Sequence, residues 1–143
     1  MNEEIRIRKR KELLETGQVT MESLKQAKMK LDSVKSWIAI EDGRGSFLIG
    51  ITKNTKIKET LQFLEQAKKN VRKFQLQLKT IEHPKDVKKD VDIFVSFATF
   101  FLDDTLENYL VKKNVRDVME QLNDAIEMVE CICKGLQKNV LKE

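Results

Sequence analysis

Along most of the chain, apolar residues recur three and four positions apart, the spacing that lays one stripe along an α-helix. From Thr20 the stripe is Leu24, Ala27, Leu31, Val34 and Ile38, and Thr20 is placed to cap it. Glu3 to Thr16 is also rich in helix formers. Its apolar residues Ile5, Ile7, Leu13 and Leu14 fall out of register with that stripe, and Gly17 stands at the join, so the pattern predicts an N-terminal helical arm over about residues 1–17. The second helix has the most regular pattern: Ile57, Leu64, Val71 and Leu78 repeat every seven residues, with Ala67, Phe74 and Ile81 interleaved. Asn54 or Thr55 is expected to cap it and Pro84 to end it.

A third helix is predicted from about Asp86 to Lys112. Val87, Val91, Phe94, Ala98, Phe101, Thr105 and Tyr109 make one face, which Val95, Leu102 and Leu106 widen. The fourth begins at Asn114, a capping residue with Asp117 at the N3 position. It carries Val115, Val118, Leu122, Ala125, Val129, Ile132 and Leu136 before fading near Leu141. Between the first two helices, Ser36 to Ile51 holds two β-branched and aromatic runs around Gly43-Arg44-Gly45, the pattern of a β-hairpin. The competing reading continues helix one to about Glu41 and leaves Phe47 to Ile51 as an apolar loop over one end of the molecule. Either way the fold class is all-α, a four-helix bundle forming a single domain over residues 1–143.

Composition fits that reading and narrows the setting. Hydrophobic residues make up 41% and charged residues 35%, enough apolar surface to offset chain entropy, and one proline and five glycines suit long helices. No apolar signal segment follows the basic N-terminus, and the longest apolar run, Val91 to Leu102, falls short of the roughly 20 residues that span a bilayer. A cytoplasmic location is therefore expected, with Cys131 and Cys133 as reduced thiols, because an i, i+2 spacing on a helix points the two side chains apart.

Charge is partitioned. Residues 53–89 hold eleven lysines and arginines against four acids, and residues 90–130 hold ten acids against three basic residues. The plain expectation is that helix two lies beside helices three and four and the signs pair across the seams. A sharper one makes Lys68, Lys69, Arg72, Lys73 and Lys79, together with Arg6, Arg8, Lys9, Arg10 and Lys11, a contact surface for nucleic acid. It is not favoured, since no aromatic residues interleave with the lysines and arginine is scarce. A third reading, an immunity-like protein resting on a membrane surface, would use the same lysines beside exposed phenylalanines.

Candidate chemistry is sparse. Asp117, Glu120, Asp124 and Glu127 form an acidic stripe on helix four, and Asp103, Asp104 and Glu107 cluster after the phenylalanine-rich run. A bundle metal site would want inward Glu-x-x-His pairs, whereas the single histidine, His83, precedes Pro84 and is placed to cap a helix C-terminus. No metal, cofactor or nucleophilic catalytic set is expected, and the chain reads as a non-enzyme. The most telling feature is a second apolar stripe on helix three, Ile93, Phe97 and Phe100, on the side roughly opposite Phe94, Ala98 and Phe101. Its cover would be the N-terminal arm, the Phe47 to Ile51 segment, a small apolar ligand, or another protein. The function expected is protein–protein association, including an isologous homodimer through these three residues with about twice the 16.7 kDa chain mass.

Overall fold

The apolar stripes fold as four helices, α1 (Glu3–Ile40), α2 (Thr55–Lys79), α3 (Lys85–Asp103) and α4 (Val115–Lys142). The computed structural model describes residues 3–40, 55–103 and 115–142, with side chains placed over 3–34, 58–102 and 116–138. Each helix packs on its neighbours in a closed ring, α1 on α2, α2 on α3, α3 on α4 and α4 back on α1. The register is antiparallel. Thr20 of α1 reaches the Asn70 carbonyl of α2 at 3.2 Å, and Thr60 of α2 reaches the Lys30 carbonyl of α1 at 3.4 Å. The result is an all-α up-down-up-down four-helix bundle, with no strand among the described residues.

The core is a set of four heptad stripes. Thr60, Leu64, Ala67, Val71, Phe74 and Leu78 are buried on α2; Val87, Val91, Phe94, Ala98 and Phe101 on α3; Val118, Leu122, Ala125, Val129, Ile132 and Leu136 on α4. Steps that alternate three and four hold a seam in line along helices that pack nearly side by side. Phe74 and Phe94, both fully buried, meet with ring centroids 5.5 Å apart, tilted at 57°. Gln75 crosses from α2 to α3, its amide nitrogen donating to the Val95 carbonyl at 3.0 Å and to Thr99 Oγ1 at 3.1 Å. Both amide hydrogens are used, so a buried polar group is satisfied on its donor side.

α1 departs from the sequence expectation. It runs unbroken through Gly17, with no separate arm, and Thr20 is not a cap but a buried mid-helix residue whose hydroxyl donates to the Thr16 carbonyl at 2.7 Å. The apparent change of register disappears once Gly17 and Thr20 are counted on the stripe: Leu13, Gly17, Thr20, Leu24, Ala27, Leu31 and Val34 keep the heptad without interruption. Gly17 is required for space, not for backbone freedom. A Cβ there would lie 2.6 Å from Cys133 Sγ and 3.1 Å from the Phe74 ring.

The helix continues through Ser36–Ile40, so the first arm of the expected hairpin is helical; Phe47 to Ile51 and Gly43-Arg44-Gly45 lie outside the described residues. α2 stops at Lys79, ahead of Pro84, and Pro84 instead opens α3: its carbonyl accepts from the Val87 and Lys88 amides at 3.0 and 2.8 Å. Proline suits a helix start, where no backbone donor is needed. His83 does cap α2, with Nε2 2.8 Å from the Leu78 carbonyl; a carbonyl only accepts, which puts the proton on Nε2. The expected extension of α3 through Thr105, Leu106 and Tyr109 to Lys112, the cap at Asn114, and the acidic side chains of Asp103, Asp104 and Glu107 fall outside the described residues.

Candidate association surface

The second apolar stripe of α3 divides in two. Ile93 and Phe100, seven residues apart on one line of the helix, are 49% and 79% exposed. Phe97 is half-buried, packs on the core and stacks on Phe101 with centroids 5.7 Å apart. Helix geometry explains the difference: at about 100° per residue, Phe97 stands only about 40° from Phe101, on the flank of the core stripe and not opposite it. α1, with the residues read as an arm, packs on α2 and α4 and leaves Ile93 and Phe100 open; Phe47 to Ile51 is outside the described residues.

Beside Ile93 the surface dips into a recess of about 230 Å³ between α3 and α4, lined also by Met128, Cys131, Asp90, Asp124 and Glu127. Its floor is apolar and its rim acidic. Asp124 and Glu127, from the acidic stripe expected on α4, are exposed, while Glu120 pairs with Arg116 at 3.6 Å. Lys89, exposed one turn before Ile93, is a basic neighbour on the outer side of α3.

The charge partition is seen first in ion pairs along single helices. Arg8–Glu12, Arg116–Glu120 and Lys134–Glu130 each lie within one helix at i, i+4 spacing. α2 packs mainly on α1 and α3, and among the described residues Lys69, Arg72, Lys73 and Lys79 are exposed and form no ion pair. The Glu130 carboxyl is held below its ordinary value by the hydrogen bond from Lys134, and the ammonium is raised in return.

The N-terminal basic segment meets the turn that follows α2, not the basic residues of α2 themselves. Arg6, Lys9 and Arg10 line a recess of about 420 Å³ with Thr80, Ile81 and Glu82, where the first turns of α1 pass the turn after α2. Arg6 and Arg10 occupy the positions that continue the core stripe backwards from Leu13, which turns them towards that end of the bundle. Arg8 and Lys11 are exposed to either side, and Lys68 is half-buried on α2. Among the described residues no three His, Cys, Asp or Glu side chains come together as a metal site requires, and no helix is long and apolar enough to cross a membrane.

The two cysteines sit in opposite environments. Cys131 is exposed in the α3–α4 recess; Cys133 is buried against Gly17, and burial, with a smaller contribution from the Glu130 charge, pushes its thiol up to about 11. A disulfide reagent at pH 8 is therefore expected to titrate one thiol in the native protein and two in denaturant. The raised value also means that the folded state holds the Cys133 proton after the unfolded chain has released it. Its contribution to stability is whole below a thiol's ordinary 9.0 and is lost as pH rises towards about 11. Cys133→Ala should remove that alkaline component of a denaturation curve.

Sequence reasoning missed the buried hydroxyls of Thr20 and Thr60 and the amide of Gln75, because polar residues were read as surface or caps. It also missed Leu76, 55% exposed on α2, for which the signal was present: a leucine among Lys69, Arg72, Lys73 and Lys79 at helical spacing. No family model, curated protein or solved structure matches the chain.

Proposed function

We propose that this protein is a non-enzymatic helical bundle that acts in the cytoplasm by protein–protein association through its α3–α4 face, with self-association as the form to test. The observation that carries the reading is Phe100, an aromatic side chain left 79% exposed on the same line as Ile93 while every heptad position beneath is buried. Single exposed apolar residues are ordinary, whereas an aromatic and an aliphatic residue in line beside an apolar-floored recess make a patch of the kind proteins hide or use. Phe97 contributes from the flank, as support for the patch and not as its exposed centre.

Phe100→Glu tests it. The substitution touches no buried side chain, so helicity by circular dichroism should be unchanged, while sedimentation should show wild type heavier than 16.7 kDa and the variant at the monomer mass. Equal masses for the two would sink the reading for this face. Phe97→Glu is the poorer probe, since it would lose the Phe101 stack and a core contact at once.

Nucleic-acid binding is the second reading, and the convergence of Arg6, Lys9 and Arg10 on the Thr80–Glu82 turn favours it over the membrane-surface reading. Steep weakening with salt would mark it, since phosphate contacts release counterions.

A further inference from the structure

The exposed large apolar side chains of the bundle are Val19, Met29, Leu76, Ile93 and Phe100. Their surroundings differ in charge. Val19 has Glu15 and Glu22 at helical neighbour positions, and Met29 has Lys25 and Asp32, so both stand in acidic or mixed ground. Leu76 is the exception: Lys69, Arg72, Lys73 and Lys79, all exposed, occupy the positions three, four and seven away from it. It is an apolar knob in a ring of four cations. Ile93 shows the reverse, an apolar floor with Met128 set among Asp90, Asp124 and Glu127.

We infer that the outer face of α2 around Leu76 is the partner of the α3–α4 recess, on a second copy of this chain. The inference rests on the association reading above and names its partner surface. Charge decides against the simpler two-fold arrangement. An isologous contact with its two-fold axis through the recess would set Asp90, Asp124 and Glu127 against the same three residues of the other copy, and like-charge juxtaposition across an interface costs several kcal/mol. Seating the α2 face instead brings cations to the acidic rim and Leu76 to the apolar floor. The cations of α2 are available for it, because among the described residues none of the four is engaged in an ion pair.

The geometry has a consequence for assembly. α2 and the α3–α4 recess are different surfaces of one bundle; joined head to tail, the contact is heterologous, and each copy keeps one unused donor face and one unused acceptor face. Mass should therefore climb with concentration, as a growing chain or a ring, instead of stopping at two copies.

Two surface variants and their mixture test this. Lys73→Glu/Leu76→Glu disables the α2 face and Ile93→Lys, at the recess itself, disables the acceptor; all three positions are exposed and the replacements helix-favouring, with folding checked by circular dichroism. Each variant alone should sediment at 16.7 kDa, and an equimolar mixture should give a species of about twice that mass, because one intact recess and one intact α2 face remain and no further copy can add. If the α2 variant associates as wild type does while Ile93→Lys does not, the contact is isologous through α3: the inference is overturned and the association reading stands. A mixture that stays at the monomer mass overturns the inference likewise. If wild type and Phe100→Glu are both monomers, the association reading fails and carries the inference with it.

Discussion

Phe74→Ala is expected to remove about 3–5 kcal/mol of stability, enough to unfold a marginal domain near room temperature. Phe74 is fully buried at the point where three helices meet: it lies on Phe94 of α3 at 5.5 Å, and its ring edge closes on Gly17 of α1. Truncation leaves a hole that neither neighbour can fill, because Phe94 is itself pinned in the core and Gly17 has no side chain to move in. Urea denaturation followed by circular dichroism measures the effect. A loss below about 1 kcal/mol would mean that the surrounding helices collapse into the space, at the low end for removal of a large core side chain.

Gly17→Ala is expected to destabilise as well, against the helix propensity that favours alanine over glycine by about 1 kcal/mol in a helix interior. The new Cβ would stand 2.6 Å from Cys133 Sγ and 3.1 Å from two Phe74 ring atoms, and a short cysteine side chain and a packed ring have little room to yield. Overpacking of this kind costs about 1–3 kcal/mol. The sign is diagnostic, since a surface arm at Gly17 would be stabilised by the same substitution. Cys133→Ala takes away the atom in closest conflict, so the double variant should recover much of the loss. A double-mutant cycle should show coupling of about 0.5 kcal/mol or more. Additive losses would mean that the α1–α4 spacing adjusts independently of both residues.

The helices most legible in the sequence were those whose stripes are wholly apolar. α2 from Leu64 to Leu78 and α4 from Val118 to Leu136 are buried at the positions their spacing indicated. α1 was divided wrongly because Gly17 and Thr20 were read by their usual roles as breaker and cap. Both are core residues chosen for small size, which lets α1 lie close to Phe74, to Cys133 and to the Asn70 carbonyl. No local pattern carries that information, since the need for a small residue at 17 is set by side chains 57 and 116 positions further along the chain. The Ser36–Ile40 run shows the converse, β-branched and aromatic residues that are helical against their strand propensity. For the candidate surface, the sequence pointed to Ile93 and Phe100. It misplaced Phe97 and overlooked Leu76, because exposure depends on which neighbour each helix face meets.

The ring order of the helices bears on how quickly the chain finds its fold. Three of the four contacts join helices that follow one another in sequence, so each forms by closing a modest loop. Only α1 against α4, where Gly17 meets Cys133, spans nearly the whole chain. That seam is as extensive as the α1–α2 one, so a large share of the packing waits on α1 meeting α4, which slows folding relative to a bundle held by neighbour contacts alone. The long-range seam closes over a loop whose entropy cost rises only logarithmically with length, and the tight fit at Gly17 belongs to the one contact that depends on the rest of the chain being in place.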